Sequence, residues 1–341
     1  MSQKHATLFV THRGERHQNE ALAAAPENLE ITMLRSPSKE EIIAALPGKE
    51  FFISERSGII DAEIIAAGKD LRLIQRLGAQ TYDIDLKAAK KAGLPVCYLP
   101  VRTCIMVAEH MMLQILATAK RLREVVHVTT GADDFGHPSK LCDEDYFAYN
   151  WTGRENLYGL WESTVGILGF GEIGTELARR LQGFGCHILY NKRSRLPEEA
   201  ERELNIKFAT VEELQARSDF LCMLLPFFPE TANSLDAKFF AGMKPGSVFV
   251  SCGGSGVVNE QALANALTSG HLYGAATDTF TYEPIAKDSP YLPIARKAGT
   301  NLFITPHTAA GSVSASSKSR VGDYQNFQRL LEGKKLVGRL V

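Results

Sequence analysis

The sequence predicts an α/β protein with two doubly wound parallel sheets, and three observations carry this prediction. The chain has 341 residues, and at about 100–200 residues per domain that length fits two domains. Short β-rich runs alternate with helical patterns through the first hundred residues. The same alternation starts again at residue 163 and continues to about residue 307. Because strand–helix alternation builds βαβ units, both halves are expected to form parallel sheets.

The first series contains several predicted strands, and helical patterns separate them. The strands are TLFVT, ITMLR, FFIS, LRLIQRL and VCYL, at residues 7–11, 31–35, 51–54, 71–77 and 96–99. Ser38 and Glu41 fit a capping box, which predicts that the second of these helices begins just after Ser38.

A long helical pattern begins at about Thr103 and runs through MVAEHMMLQILATAKRLREV. A polar stretch that is rich in Gly, Asp and aromatic residues follows at residues 129–155. Since loops of this length are uncommon inside a compact domain, we predict an arm or crossover outside the sheets, at a subunit contact.

The second series again alternates predicted strands with helical patterns. Its strands are at residues 163–170, 187–191, 220–225, 247–252, 272–280 and 302–307. The remaining stretch, residues 309–341, predicts a helix and a short tail that return to pack on the first unit.

Composition limits the kind of protein that this sequence can encode. Hydrophobic residues are 45% and charged residues 23%, and the net charge is −1, which is the balance of an ordinary globular chain. Without an excess of positive charge, neither nucleic acid nor a membrane surface is an expected partner. No apolar run reaches about 18 residues and the first residues lack a signal-peptide core, so we expect a cytoplasmic protein. The six cysteines include no CxxC pair, which predicts reduced thiols and no metal site.

One glycine-rich motif lies in the context that a dinucleotide-binding turn requires. It follows the predicted strand TVGIL and opens the helical pattern IGTELARRLQ. The residues predicted to contact the cofactor are Gly169, Phe170, Gly171, Glu172, Ile173 and Gly174. The first glycine permits a tight turn, the second lets the backbone approach a pyrophosphate, and the third lets the helix pack on the strand. The alternative is a glycine-rich turn without a ligand.

The end of the next predicted strand indicates which dinucleotide is bound. Asn191 stands where NAD-binding folds usually carry Asp or Glu for the ribose hydroxyls. Lys192, Arg193 and Arg195 follow it. Because no carboxylate is present to repel a 2′-phosphate and arginine can clamp one, NADP is the preferred cofactor, with NAD as the second choice. The alternative is a solvated basic loop that tolerates either cofactor.

Several segments, in order along the chain, resemble the D-isomer-specific 2-hydroxyacid dehydrogenase family. They are LGAQTYDIDLKAAKKAG (77–93), VAEH (107–110), GILGFGEIG (166–174), LPFFPET (225–231), MKPGSVFV (243–250), GAATDTFTYEP (274–284) and TPH (305–307). The resemblance implies a Rossmann cofactor domain inserted in a flavodoxin-like, split substrate domain. The corresponding boundaries are 119–308 for the cofactor domain and 1–118 plus 309–341 for the substrate domain. It also implies a homodimer that acts on a small-molecule substrate.

The resemblance assigns a catalytic histidine to His307, which is also expected to contact the cofactor, and a catalytic glutamate to Glu283. Hydride delivery to a carbonyl leaves an alkoxide that needs a proton, and imidazole is suited to supply it near neutral pH. A carboxylate that is hydrogen-bonded to the imidazole would orient the ring and stabilise its charged form. Asp278 corresponds to the carboxylate that holds the nicotinamide amide. Ordinary strand-end and turn residues are the alternative for all three.

One departure from the family pattern concerns the substrate. The family's catalytic arginine, which binds the substrate carboxylate and polarises the carbonyl, corresponds to Gly254. The resemblance also places Cys252, Gly253 and Gly254 among the cofactor-binding residues, and the glycine pair is expected to leave space for a larger or less charged substrate. Arg102 is the candidate replacement for the lost arginine and is counted with the catalytic residues. The alternative is that Arg102 is a solvated loop cation.

Together these features predict an NAD(P)-dependent oxidoreductase that moves a hydride between nicotinamide and a carbonyl or hydroxyl carbon. An atypical substrate is expected because the carboxylate-binding arginine is absent. The alternative is a catalytically weak nucleotide-sensing or corepressor-like protein that retains the fold. The presence of both Glu283 and His307 argues against this alternative, since a pure binder needs neither.

Overall fold

The computed structural model describes residues 3–56, 58–297, 299–311 and 319–341. The contacts of the chain divide it into two compact units. The first unit comprises Met1–Met106, Gly171–Glu176 and Ala310–Val341, and the second comprises Val107–Phe170 and Leu177–Ala309. The domain boundaries expected from the sequence, at 118/119 and 308/309, stay a prediction.

The first unit contains a five-stranded, wholly parallel sheet. The strands are β1 (His5–Thr11), β2 (Leu29–Arg35), β3 (Phe51–Glu55), β4 (Leu73–Leu77) and β5 (Val96–Leu99). Their order in the sheet is β2-β1-β3-β4-β5. All residues of β3 and β4 are buried, as expected for parallel strands with both faces covered. The strand order reverses between β1 and β3, and ligands of open parallel sheets bind at such a point.

Short helices connect these strands. They are α1 (Glu15–Ala23), α2 (Lys39–Ala45), α3 (Ala62–Ala67) and α4 (Leu86–Lys91). Ser38 accepts a hydrogen bond from the backbone N–H of Glu41, whose carboxylate accepts one from the N–H of Ser38, and this confirms the predicted capping box.

The C-terminal stretch belongs to the first unit. A 3₁₀ turn (Ser319–Tyr324) leads into a last helix (Gln325–Leu331). Tyr324 and Phe327 are fully buried and pack with Phe9 and Phe51 of the sheet. Part of the stretch predicted as helix, residues 312–318, lies outside the described residues.

The single long helix predicted from Thr103 is divided in two, so this expectation was wrong. Two residues separate the end of helix α5 (Arg102–Ala119) from the start of α6 (Leu122–Gly131). Arg121 adopts a left-handed conformation (φ 48°), which interrupts the helical path. Residues 132–163, all of which the structure describes, form no helix or strand. This agrees with the predicted polar stretch 129–155 except at residues 129–131, which belong to α6.

The second unit contains a seven-stranded parallel sheet. The strands are β6 (Thr164–Leu168), β7 (His187–Asn191), β8 (Ile206–Phe208), β9 (Phe220–Met223), β10 (Val248–Ser251), β11 (Gly274–Thr277) and β12 (Leu302–Ile304). Their order is β12-β11-β10-β9-β6-β7-β8. Starting from β6, this is the doubly wound order of dinucleotide-binding folds, with one further strand at the β12 edge.

The helices that connect the strands of the second sheet are α7 (Glu172–Leu181), α8 (Glu198–Leu204), α9 (Val211–Arg217), α10 (Ala237–Ala241), α11 (Glu260–Thr268) and α12 (Tyr291–Ala295). Strand β8 was missed by the sequence prediction because it is only three residues long. In the described part of the chain, no helix is both long and apolar enough to cross a membrane.

Candidate active site

The glycine-rich turn after β6 has the form that a dinucleotide needs. Gly169 has φ +92°, and a Cβ there would lie 2.7 Å from the backbone of Leu224 and Leu225, so only glycine fits. A Cβ at Gly171 would meet nothing within 4 Å, which leaves its backbone open to a ligand. Helix α7 begins at the next residue, so its N-terminal N–H groups lie beside this open backbone. These features fit a bound pyrophosphate.

Glu172 lies at the start of α7 and is the residue that would repel phosphates. Its carboxylate is buried and accepts hydrogen bonds from the backbone N–H groups of Ala79 (2.5 Å) and Gln80 (3.2 Å). Burial raises the pKa of Glu172, and these two N–H groups partly oppose that effect. Hydrogen bonds from the backbone of residues 79 and 80 therefore engage the carboxylate of Glu172.

The end of β7 is tied to the glycine-rich turn through its backbone. The carbonyl oxygen of Asn191 accepts hydrogen bonds from the N–H groups of Gly169 (3.2 Å) and Phe170 (3.1 Å), while its side-chain amide donates to the carbonyl of Ala209 (2.8 Å). Asn191 therefore lies beside the turn with its side-chain amide already engaged, and its predicted contact with the cofactor stays a prediction.

The basic residues after Asn191 differ in their availability. Arg195 forms a two-pronged ion pair with Glu201, at 2.9 and 2.8 Å. Arg193 is exposed and forms no ion pair with any described residue. Arg193 is thus a better candidate than Arg195 for binding a 2′-phosphate.

His307 and Glu283 are brought into direct contact. Nδ1 of His307 lies 2.6 Å from Oε2 of Glu283. The other carboxylate oxygen accepts hydrogen bonds from the backbone N–H of Phe280 (3.1 Å) and the hydroxyl of Ser255 (3.2 Å). Partial burial acts to raise the pKa of Glu283, but these hydrogen bonds outweigh it and the pKa lies below its ordinary value. The glutamate is therefore ionised and oriented toward the imidazole.

Asp278 holds the loop that carries His307 by accepting hydrogen bonds from it. This carboxylate follows β11, is fully buried, and accepts hydrogen bonds from Thr305 Oγ1 (2.6 Å) and from the N–H groups of Thr308 (3.0 Å) and Ala309 (2.8 Å). His307 itself has φ +53°, an uncommon conformation for a non-glycine residue. Asp278 thus holds the residues on both sides of His307, and its predicted contact with nicotinamide stays a prediction.

His110 on α5 is a residue that the sequence analysis did not single out. Its Nε2 lies 3.0 Å from Thr305 Oγ1 and 3.6 Å from Asp278 Oδ1. Thr305 donates to Asp278, so its hydroxyl oxygen can accept from His110. The only sequence signal was the position of His110 within the matching segment VAEH. Ser255, which contacts Glu283, was also missed.

Gly254 has no space for a side chain. Its N–H donates to the carbonyl of Leu225 (2.7 Å), and a Cβ would lie 2.2 Å from the backbone nitrogen of Phe227. A Cβ at Gly253 would meet the carbonyl oxygen of Leu225 at 2.8 Å. The expectation that the glycine pair leaves extra room for a substrate was therefore wrong, because the 225–227 backbone fills that room.

The two remaining predicted residues have different settings. Cys252 donates its thiol to Gln114 Oε1 (3.2 Å), and burial raises its pKa well above the ordinary value, so it is a neutral thiol. Arg102 is exposed at the first residue of α5, in the first unit. Its catalytic role stays a prediction.

A glycine-rich turn at the head of a parallel sheet in this strand order defines a dinucleotide-binding α/β protein. Residues 139–309 match the family model described as D-isomer specific 2-hydroxyacid dehydrogenase, NAD binding domain. The chain belongs to the D-isomer-specific 2-hydroxyacid dehydrogenase family.

Individual relatives agree with this assignment. The chain is 31% identical over 303 residues to glyoxylate/hydroxypyruvate reductase B of Cronobacter sakazakii, covering 86% of each chain. It is 28% identical over 312 residues to D-3-phosphoglycerate dehydrogenase of Mycobacterium bovis, covering 92% of this chain but only 55% of that protein. A solved structure from Polaromonas sp., a putative D-isomer specific 2-hydroxyacid dehydrogenase, is 25% identical, covers 100% of both chains and has a TM-score of 0.54.

Proposed function

We propose that the protein is an NAD(P)-dependent oxidoreductase that transfers a hydride between nicotinamide and a carbonyl or hydroxyl carbon. The observation that carries this proposal is the 2.6 Å contact between His307 Nδ1 and Glu283 Oε2. It leaves Nε2 of His307 without a hydrogen-bond partner among the described residues, on a side chain that is 53% exposed. A substrate oxygen can therefore reach that nitrogen.

The chain's own residues divide the work between binding and proton transfer. The backbone of the 169–174 turn and the N-terminus of α7 would hold the pyrophosphate, and Asn191 with its basic neighbours would face the adenosine ribose. When bound, nicotinamide supplies or accepts the hydride.

Proton transfer falls to His307. As a carbonyl is reduced, its oxygen gains an electron pair and takes the proton from Nε2 of the imidazolium, which becomes neutral imidazole. Glu283, held ionised by Phe280 N–H and Ser255, stabilises the imidazolium before the transfer and fixes Nδ1 as the protonated nitrogen afterwards. In the oxidation direction the neutral imidazole takes the hydroxyl proton.

The substrate of this reaction is proposed to be an atypical hydroxy or oxo compound. Glycine at position 254 supplies no guanidinium, and the 225–227 backbone excludes any side chain there. Without that guanidinium, the carboxylate of a simple 2-oxo acid would lack a bidentate ion pair. One hydrogen bond to a charged group is worth about 1.5–3 kcal/mol. The names of the relatives point to 2-oxo acid chemistry, so glyoxylate belongs in the test.

A panel of carbonyl and alcohol compounds, assayed with both dinucleotides, tests this function. We expect turnover of at least one compound and slow turnover of glyoxylate. If no member of the panel turns over while a dinucleotide still binds, the nucleotide-sensing alternative stands and the proposal fails.

We further infer that the chain forms a homodimer through the segment from residue 132 to residue 161. The segment exposes large apolar side chains: Leu141 (87%), Phe147 (70%), Tyr149 (86%) and Trp161 (74%). Soluble proteins rarely expose such a concentration of aromatic residues unless a partner covers them. A second copy of the chain is the proposed partner, as the sequence analysis expected.

A further inference from the structure

Tyr190 lies where the glycine-rich turn meets the loop that follows β7. It is the fourth residue of that strand, next to Asn191, and its side chain is fully buried. Its ring packs on the ring of Phe170 in the glycine-rich turn, with the centroids 4.9 Å apart, and on the ring of Phe208 at 5.6 Å. The aromatic part of Tyr190 is therefore fixed against the turn that would hold the pyrophosphate.

The hydroxyl of Tyr190 both donates and accepts a hydrogen bond. It donates to Glu201 Oε1 on α8 (2.8 Å) and accepts from the backbone N–H of Leu196 (2.7 Å). Burial raises the pKa of Tyr190, so the phenol is neutral and keeps the proton that it donates. Leu196 is itself buried, and its N–H therefore needs an acceptor within the protein.

The loop of residues 192–197, between β7 and α8, has a second and weaker attachment. Arg195 pairs with Glu201 from the solvent side, at 2.9 and 2.8 Å, and its side chain is largely exposed. An exposed ion pair contributes little to stability, because water screens the charges and the long side chain must be ordered. The buried hydroxyl of Tyr190 is therefore the stronger of these two attachments.

Arg193 lies between two fixed points of this loop. At one end the carbonyl of Asn191 is bound by N–H groups of the glycine-rich turn, and near the other end Leu196 is bound by Tyr190. The side chain of Arg193 is exposed. A loop that is already held in its binding conformation loses less conformational freedom when a ligand binds, so its contacts contribute more to affinity.

We propose that Tyr190 is a positioning residue for discrimination between the two dinucleotides, and that it acts through its hydroxyl on the 192–197 loop. The inference rests on the proposed function, in which this loop faces the adenosine ribose. By holding Leu196, the hydroxyl keeps Arg193 in place for the 2′-phosphate of NADP. NAD lacks that phosphate and gains nothing from a fixed Arg193.

The test is calorimetric titration of the full chain with NADP and, separately, with NAD, in the wild type and in Tyr190→Phe, which removes only the hydroxyl. We expect the affinity for NADP to fall about three- to tenfold, the worth of one hydrogen bond, and the affinity for NAD to change less than about twofold. With the dinucleotides absent, the amide of Leu196 should exchange faster with solvent in the variant. In the substrate panel, the KM for NADP should rise while kcat stays the same.

Tyr273→Phe is the matched control, since it also removes a hydroxyl that donates to the protein. Tyr273 donates to the carbonyl of Asn156 (2.6 Å) and immediately precedes β11. It lies at the opposite end of the parallel sheet from the glycine-rich turn, which follows the end of β6. The ratio of the two affinities should stay as in the wild type. Circular dichroism of both variants verifies that they are folded.

An equal loss of affinity for both dinucleotides in Tyr190→Phe would show a merely structural role and would overturn the proposal. An unchanged ratio, or the same change of ratio in Tyr273→Phe, would also overturn it. The titrations need no turnover. A changed ratio without turnover of any carbonyl would therefore refute the proposed function alone, and turnover with an unchanged ratio would refute the role of Tyr190 alone. Binding of neither dinucleotide would refute both.

Discussion

The backbone of Phe227 occupies the space that a side chain at position 254 would need. A Cβ on Gly254 would lie 2.2 Å from the nitrogen of Phe227 and 2.9 Å from its Cα. Both atoms belong to the main chain, so the steric clash could be relieved only by a movement of the 225–227 segment. The sequence identified the missing arginine by its position, but it could not show this approach, because the contact joins two segments more than twenty residues apart.

The first prediction follows from that contact. Gly254→Ala should lower stability by about 1–3 kcal/mol, the usual cost of overpacking, and Gly254→Arg should not restore turnover of glyoxylate. Gly183→Ala, at an exposed glycine with open space around its Cβ, is the control and should stay within about 0.5 kcal/mol. Thermal unfolding and steady-state kinetics measure both effects. A stable Gly254→Arg protein that reduces glyoxylate rapidly would show that the 225–227 backbone moves easily.

The second prediction concerns Glu283 and pH. The pKa of Glu283 is lowered in the folded protein. Its ionised form therefore stabilises the fold at pH values above the ordinary pKa of a glutamate. This contribution is lost as the pH falls through the lowered pKa. Glu283→Gln should therefore be less stable than the wild type at neutral pH, and the difference should shrink as the medium becomes acidic. Turnover should also fall, because the imidazolium loses its carboxylate.

Ser255→Ala is the matched control for this change, since it removes one hydrogen bond to the other oxygen of Glu283 and leaves the contact with His307 in place. We expect only a small loss of turnover. Urea unfolding across a range of pH provides the measurement, and a stability difference that grows toward acid pH would contradict the assignment.

At the scale of elements, the sequence predicted two strands with their exact bounds, β5 (Val96–Leu99) and β7. Strand β7 occupies His187–Asn191, the residues that the apolar pattern indicated. Other strands end earlier than predicted: β11 covers only Gly274–Thr277 of the run 272–280, because Asp278 turns away to hold the His307 loop. Such turns depend on side chains that are distant in sequence, so local patterns do not show them.

The third prediction separates the cations that follow β7. Arg193→Ala should reduce the preference for NADP over NAD, because the exposed guanidinium is available to a 2′-phosphate. Arg195→Ala should change the preference less, since Glu201 already binds that side chain. Asn191→Asp should favour NAD by repelling the 2′-phosphate. Titration of each variant with both dinucleotides measures the ratio of affinities; equal effects of the two arginine variants would refute this distinction.

At the scale of the whole molecule, two parallel sheets and the return of the C-terminal stretch to the first unit were predicted from the sequence. The alternation of apolar runs with helical patterns was enough for this, because parallel strands buried on both faces leave a strong signal. A cavity of the first unit that Arg13, Arg56 and Arg320 line was not predicted, since these residues are far apart in sequence and come together only through the sheet.

The fourth prediction concerns assembly. The double variant Phe147→Ser, Tyr149→Ser removes two exposed aromatic side chains from the proposed dimer segment. It should shift the molecular mass measured by light scattering from that of a dimer toward that of a monomer. Val321→Ser is the control, because it removes an exposed apolar side chain from the first unit, and it should leave the mass unchanged. A wild-type protein that is monomeric at all concentrations would contradict the proposed dimer.

His307, oriented by Glu283, is the proposed proton donor and acceptor of a nicotinamide-dependent reaction. The most direct measurement compares wild type and His307→Ala, on the best substrate of the panel, for both turnover and dinucleotide affinity. We predict that turnover falls by about 10²–10⁴-fold, the usual worth of a positioned general acid or base, while dinucleotide affinity changes little. A His307→Ala protein that keeps wild-type turnover would contradict the account.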